Sequence, residues 1–343
     1  TLDRADPRDL LLLRKDRLKS VLASGNLHAF SSSPRRAYNL EKFLPSALPA
    51  GVQNIVFESV RGNMQTRVRK LFESNVDALV VAKAAIDRLL STTEDEFAEA
   101  RNIAEKALSD CYWMITPLSE NPTAPAQGAL AIEALESRQD LIELLSSIND
   151  PVTMNLVQSE RAILNGYGGG CHQNIGATIL DRPYGRITFL RGETHDGEVL
   201  RQKSLDTDGP RAPKAKAELV WPLKDSEAGF LESEAISSLN MPEGRLAFHV
   251  AKAEAVPTDW QIPYHTICWT AGLQTWRKLA ARGIWVNGSF DALGESEDMG
   301  VDSFLPLNTK WIKLSHSSAP QHDSMTLLST YNLKIREVLP NLE

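Results

Sequence analysis

Between residues 10 and 90 the chain alternates short apolar or β-branched runs with runs of helical spacing. Few architectures accept that alternation. Strands separated by helices favour a sheet with helices on its faces, an α/β fold. The leucine-rich run 10–22 reads as a strand or helix start followed by a polar turn. His28-Ala29-Phe30 reads as a strand ending in the serine-rich turn Ser31-Ser32-Ser33. A helix is expected from Pro34, because proline suits the first helical position. Asn54–Val60 alternates as a strand should, Met64–Phe72 has helical spacing, Val76–Ala82 is a strand and Lys83–Leu90 a helix. The spacing predicts a mostly parallel sheet over 10–113. Beyond it, Gly128–Ile132 reads as a strand and Leu141–Ile148 as a helix. Ile187–Leu190 and Glu198–Leu200 flank an Asp196-Gly197 turn and read as a hairpin. Residues 201–218, with Gly209, Pro210 and Pro213, read as a linker. Arg245–Val250 and Thr266–Trp269 are strands. Thr270-Ala271-Gly272 then turns into a helix, Leu273–Ala281, closed by Gly283.

Composition narrows the classes. The chain of 343 residues has 42% hydrophobic and 24% charged residues, as a protein of two or three globular domains would. No apolar run is long enough to span a bilayer, and no signal peptide is visible, so no membrane partner is expected. Three scattered cysteines, Cys111, Cys171 and Cys268, form no disulfide framework and point to a reducing cytoplasm. The net charge of −7 argues against nucleic acid. Yet Arg35, Arg36, Arg61, Arg67, Arg69, Lys70 and Arg88 crowd the first hundred positions. A local arginine cluster in an acidic chain suits a small polyanion.

Two local patterns carry chemistry. Ser31-Ser32-Ser33-Pro34-Arg35-Arg36 places hydroxyls and amides at a helix start, with two arginines where the helix dipole is already positive. An anion site accounts for that conflict better than a solvated face does. Arg61 closes a strand and Arg67 follows in the next helix, an arrangement that places both where α/β sheets bind ligands. In the second pattern a lone thiol, Cys171, follows Gly168-Gly169-Gly170, a cluster that removes side chains around the sulfur. The stretch suits a thiol carrying something bulky, and equally a glycine-rich turn with an incidental cysteine. His316, His322 and Asp323 fit no standard zinc spacing, so no metal is expected. Ser315-His316 lacks a Gly-x-Ser-x-Gly elbow. Trp269, Trp276 and Trp285 read as core.

These motifs resemble those of the hydroxymethylbilane synthase (porphobilinogen deaminase) family. Glu160-Arg161-Ala162, Gly169-Gly170-Cys171 and Ile175-Gly176 match its cofactor-attachment loop, with His172-Gln173-Asn174 as a departure. Ser31 to Arg36 matches its Thr-Ser-Ser-x-Arg-Arg turn. Arg61-Gly62-Asn63, Thr66-Arg67 and Lys70-Leu71 match a second segment, and Asp77-Ala78 through Arg88-Leu89 a third, where Ala85 and Leu90 replace usual glycines. Gln127-Gly128-Ala129 matches a fourth, with Ala126 for its first glycine. The resemblance covers roughly residues 1–200. It implies a covalent dipyrromethane on Cys171, with its acetate and propionate groups bound by Ser31, Ser32, Ser33, Arg35, Arg36, Arg61, Arg67 and Arg88, and with Gln127 nearby. It implies the head-to-tail condensation of four porphobilinogen units with loss of ammonia, in tetrapyrrole (heme) biosynthesis.

The resemblance also sets the expected organisation. Residues 1–9, containing Asp3-Arg4-Ala5-Asp6-Pro7-Arg8-Asp9, match the end of the family's first domain. Residues 10–113 form the anion-binding α/β domain, of periplasmic-binding-protein-like architecture. Residues 114–148 return to the first domain, and 149–209 form a small α+β domain carrying Cys171. The family's catalytic aspartate sits in a Lys-Asp-Val-Pro segment that this sequence does not contain. The catalytic group is therefore unassigned. The expectation is a chain incomplete by itself, a fragment or one completed by a separate chain supplying the half-domain. Residues 210–343 form a further α/β extension. Within it Ile267 to Trp276 resembles, in part, the strand–turn–helix units of uroporphyrinogen-III synthase. Two alternatives to a deaminase follow: a non-catalytic polycarboxylate-binding remnant, and a fusion with uroporphyrinogen-III synthase activity.

Overall fold

The computed structural model describes residues 1–49, 51–169, 173–207, 231–321 and 324–335. Residues 9–115 build a five-stranded sheet in the order β3-β2-β4-β1-β5. Its strands are β1 (Asp9–Arg14), β2 (Asn26–Phe30), β3 (Asn54–Glu58), β4 (Ala78–Ala82) and β5 (Cys111–Ile115). β2 pairs in parallel with β3 and β4, whereas β1 pairs antiparallel with both β4 and β5. The sheet is thus mixed, where the alternation predicted a mostly parallel one. Four strands run one way, and β1 is reversed because it enters from the opposite end.

The run Leu10–Leu13 shows how the sheet is buried. All four leucines are fully inaccessible. Leu11 and Leu13 face one core with Leu40, Phe43 and Leu44 of α2 (Pro34–Ala47). Leu10 and Leu12 face the other, with Val68 and Leu71 of α3 (Met64–Glu73), Ile86 of α4 (Lys83–Ser91) and Ala104 and Ala107 of α5 (Ala98–Asp110). Period-two side-chain alternation between two helical layers makes a continuous apolar run the right sequence for a central strand. A short helix α1 (Leu18–Ser24) connects β1 to β2 and ends on Gly25, whose positive φ closes the turn.

The expected strand at Gly128–Ile132 does not form. Leu130 accepts a bond from the Leu2 amide and Gly128 from that of Ala5, but no ladder develops, and Leu130 and Ile132 stay about half exposed. Helices α6 (Gln139–Ser146) and α7 (Pro151–Gly166) follow. Asp150 caps α7 by accepting from the Val152 amide. α7 packs on an antiparallel sheet of β6 (Gly176–Arg182), β7 (Gly185–Glu193) and β8 (Val199–Asp206). The predicted hairpin is β7–β8, and β8 reaches six residues into the stretch read as a linker.

The C-terminal part forms a six-stranded sheet, order β12-β11-β10-β13-β14-β9. It comprises β9 (Leu231–Ala235), β10 (Leu246–Val250), β11 (Ile267–Thr270), β12 (Gly288–Ser289), β13 (Lys310–His316) and β14 (Thr326–Ile335). All its pairings are parallel except that of β9 with β14. Helix α8 (Leu273–Ala281) follows β11. This sheet is joined laterally to the first. The Ile115 amide donates to the Asn287 carbonyl at 2.8 Å. The Trp113 carbonyl accepts from the Trp285 indole at 3.0 Å and from the Asn287 side chain at 2.9 Å. Both cores run through the junction, so Phe248, Cys268 and Trp276 share one cluster with Leu11 and Phe43, while Trp269 shares the other with Leu10. Among the described residues no helix is long and apolar enough to cross a membrane.

Candidate functional site

β2, β3 and β4 run in parallel, so their carboxyl ends meet at one edge of the sheet, where α/β folds bind ligands. The reversed β1 starts at that same edge, and its first residue, Asp9, pairs with Ala82 at the end of β4. The reversal therefore delivers a carboxylate to a rim otherwise built from helix starts.

The serine turn is fixed by its own backbone bonds. The Ser31 amide donates to the Glu58 carbonyl, and Ser32 Oγ accepts from the Val60 amide at 2.9 Å. Ser33 caps α2 by accepting from the Arg36 amide. These contacts aim Arg35 and Arg36 inward. Arg35 Nη2 lies 2.9 Å from Asp9 Oδ2, and Arg36 Nη2 lies 2.7 Å from Asp9 Oδ1. Arg35 Nη1 also donates to Asn121 Oδ1 and the Pro122 carbonyl, at 2.9 and 2.7 Å. Gln127 completes the cluster, donating to Asp9 Oδ1 at 2.7 Å and accepting from Arg36 at 3.2 Å. Asn121 Nδ2 donates to Asp9 Oδ2 at 2.9 Å.

Two buried guanidiniums thus share one buried carboxylate and leave a net positive charge. Burial alone would raise the Asp9 carboxyl, but Arg36 and Arg35 outweigh it and hold it far below the usual range. Burial lowers the Arg35 guanidinium against the pull of Asp9. The buried Nε donors of Arg35 and Arg36 have no hydrogen-bond partner among the described residues. Neither amide atom of the fully buried Asn39 has one either. Asn39 lies three and four positions after the arginines, on the same helix face. Unsatisfied buried donors are costly, and a face with several of them beside excess positive charge fits an anionic group.

The other predicted residues sit at the rim. Arg61 is exposed, and its carbonyl accepts from Lys70. Arg67 Nε donates to the Gly62 carbonyl at 2.8 Å, and Asn63 caps α3. Arg88 donates to the Gly128 carbonyl at 2.7 Å, next to Gln127. The structure therefore gathers Arg35, Arg36 and Gln127 around Asp9, places Ser31, Ser32 and Ser33 at the start of the helix that carries the two arginines, and spreads Arg61, Arg67 and Arg88 along the adjoining turns and helices.

Cys171, with Gly170 and His172, lies outside the described residues, as do His322 and Asp323. The flanks of the cysteine loop are defined. A Cβ built on Gly176 would sit 2.1 Å from the Pro122 carbonyl oxygen and 2.9 Å from Arg35 Cδ. Only glycine permits β6 to start against the arginine. Cys171 stands five residues before it, within about 17 Å of extended chain. At the other flank Glu160 of α7 is fully buried. It takes both Arg4 Nη donors, at 2.6 and 3.0 Å, and the Ala126 and Ile179 amides, both at 2.8 Å. It ties α7 to the amino-terminal segment and to the Gln127 loop. Burial pushes the thiols of Cys111 and Cys268 up to about 12, so neither is a nucleophile near neutral pH.

The same rim holds ion pairs the sequence did not reveal. Buried Lys83 binds Asp87 at 2.6 Å and Asp6 at 3.4 Å. Burial would raise Asp6, but Arg8 and Lys83 hold it at about 2. Asp9, Asn39 and Asn121 were also missed. Each is one polar residue in an otherwise ordinary stretch, and only folding brings them together.

Part of this chain is similar to known proteins. Residues 1–143 match the family model described as "Porphobilinogen deaminase, dipyromethane cofactor binding domain". That segment is similar to the cofactor-binding domain of porphobilinogen deaminases. The porphobilinogen deaminase of Clostridium novyi is 33% identical over 218 residues, 63% of this chain and 65% of that protein. That of Bacillus anthracis is 33% identical over 213 residues, 61% of this chain and 60% of that protein. The chain thus spans between 60 and 65% of the length of these curated deaminases. The matched segment contains every described residue of the Asp9 cluster. Cys171 follows it by 28 positions.

Proposed function

We propose that this protein works in tetrapyrrole biosynthesis as a porphobilinogen deaminase, carrying a dipyrromethane on Cys171. The observation that carries the reading is the buried Arg35–Arg36 pair, anchored on Asp9 with donors to spare and packed against the return of the cysteine loop at Gly176. The residues fit the group: a dipyrromethane bears several carboxylates, and this face offers several unsatisfied donors beside excess positive charge. Arg35, Arg36 and Asn39 would hold those carboxylates from below, with Ser31, Ser32 and Ser33 at the helix start and Arg61, Arg67 and Arg88 at the rim. When bound, the cofactor supplies the pyrrole end to which porphobilinogen adds.

The chain's own residues then have separable roles. Asp9 stays ionised and keeps the two guanidiniums fixed, so the clamp needs no reorganisation when carboxylates arrive. Because its carboxyl is held so low, Asp9 does not donate a proton near neutral pH. Intact mass of the purified chain, with peptide mapping across Cys171, tests the reading. A two-pyrrole adduct on Cys171, absent from Cys171→Ser, is the expected result. An unmodified thiol in a chain produced in cells that make porphobilinogen would sink it.

The proposed partner is the family's half-domain that contains the Lys-Asp-Val-Pro segment. Leu130, Ile132, Leu135, Ile142, Leu144, Ile148, Val152 and Met154 are all exposed large apolar side chains within one stretch, and α6 buries none of its residues. A contiguous apolar patch of this kind marks an interaction surface. With that half-domain co-expressed, the two should co-purify. Leu135→Glu with Leu144→Glu should release it while leaving the chain's own unfolding midpoint unchanged. Co-purification indifferent to both charges would place the contact elsewhere.

A further inference from the structure

The turn Pro117–Asn121 has two sides. Asn121 faces the Asp9 cluster, and Glu120 faces away from it into a second group of charges. Glu120 is buried, with 4% of its side chain exposed. Arg191 Nη1 of β7 lies 2.7 Å from one of its oxygens. From α8, Arg277 Nη2 lies 2.8 Å from the other, and from β8, Arg201 Nη2 approaches it to 4.0 Å. Lys203, also of β8, donates to the Asp291 carbonyl at 3.1 Å, and the Asp291 carboxylate is engaged by the amide and hydroxyl of Ser119. Three guanidiniums from three elements therefore converge on one carboxylate, with the Lys203 ammonium held beside them on the Asp291 carbonyl.

Stability does not account for the convergence. One arginine is enough to neutralise Glu120, and Arg191, the least exposed, already does so. Arg277 and Arg201 are 40% and 71% exposed at the side chain, and exposed pairs of this kind contribute under about 1 kcal/mol. Against that small gain stands the mutual repulsion of three guanidiniums. Burial together with Arg201 and Arg277 lowers the Arg191 guanidinium, while Glu120 raises it. The Arg201 guanidinium makes no hydrogen bond among the described residues, and that of Arg277 makes one, so the two present a fork of open donors beside a fixed positive charge. Guanidinium forks match carboxylate and phosphate oxygens in pairs.

We infer that Arg191, Arg201 and Arg277, organised by buried Glu120, form a second anion site for a small molecule bearing two or more carboxylate or phosphate groups. Glu120 sets the floor and keeps the guanidiniums from splaying. Arg201 and Arg277 engage the ligand, and Lys203 adds long-range attraction. The site draws on the antiparallel sheet, the 117–121 turn and the C-terminal α8 together, so its occupation also fastens these elements to one another.

Titration calorimetry at constant ionic strength, with citrate and with inorganic phosphate as separate probes, tests the site. Saturable binding of at least one is expected, with affinity reduced at least tenfold in the Arg201→Gln, Arg277→Gln double variant. Both side chains are exposed enough that the variant should keep the wild-type melting temperature. Preference for citrate would assign a polycarboxylate ligand, and preference for phosphate a phosphorylated one. Binding that persists unchanged in the double variant would belong to the Ser31–Arg36 cluster and would overturn the inference. So would the absence of saturation with either anion.

Discussion

Asp9→Ala should destabilise the protein by about 3–5 kcal/mol, because it leaves two buried guanidiniums with no counter-charge. Asp9 is fully buried and receives Arg35, Arg36, Gln127 and Asn121 at 2.7–2.9 Å. The loss should appear as a lower urea midpoint with an unchanged slope. Asp9→Asn keeps the shape and loses the charge, so it should fall between the wild type and alanine. The pH dependence has a definite sign. Asp9 and Asp6 both have folded values below those of an unfolded aspartate, which titrates near about 4. Their stabilisation is complete above that pH and disappears as pH falls through the folded values, about 2 for Asp6. The gap between wild type and Asp9→Ala should therefore be widest near neutral pH and narrow below about pH 4. A loss under 1 kcal/mol at pH 7 would show that the arginines find other partners.

Trp276→Ala is expected to cost a further about 3–5 kcal/mol, and to cost it globally. The Trp276 ring is inaccessible, meets Phe43 edge-on at 5.5 Å and donates its indole to the Ala47 carbonyl at 2.9 Å. Phe43 and Ala47 belong to α2, which also carries Arg35 and Arg36. The C-terminal sheet and the amino-terminal α/β sheet thus unfold as one unit if this core is what joins them. Circular dichroism and tryptophan fluorescence should report a single coincident transition, shifted down in the variant. Two separated transitions, with only the later strands affected, would mean that the halves are independent.

Much of the fold was legible because its periodicity is strong. β2 to β4 and α2 to α4 fall within a few residues of their expected bounds, and the serine–arginine turn sits at a helix start as its pattern demanded. Other elements left little trace. α5 buries only Ala100, Ala104 and Ala107, side chains too small to make a visible stripe. Gly128–Ile132 shows the opposite error, since an apolar run marks a strand only when something covers it, and Leu130 and Ile132 are exposed. Strand direction is not written in periodicity at all, so the reversal of β1 was invisible, and with it the placement of Asp9. The three tryptophans read as core are core, yet nothing local shows that Trp276 and Trp285 bind carbonyls of Ala47 and Trp113, more than 170 positions away. The Arg191–Arg201–Arg277 convergence was equally hidden, because its members come from separate elements.

The lateral junction of the two sheets bears on solubility. A free sheet edge is a template for adding strands from other molecules. The contact between β5 and β12 consumes one edge of each sheet. The edges that remain are β3, with Asn54 and Glu58 at its ends, and β9, where Glu232 and Glu234 stand exposed. Acidic side chains on both outer strands resist the approach of another such strand. Self-association by sheet extension is therefore disfavoured, and crowding of this protein should lead first to contacts through the apolar face around α6.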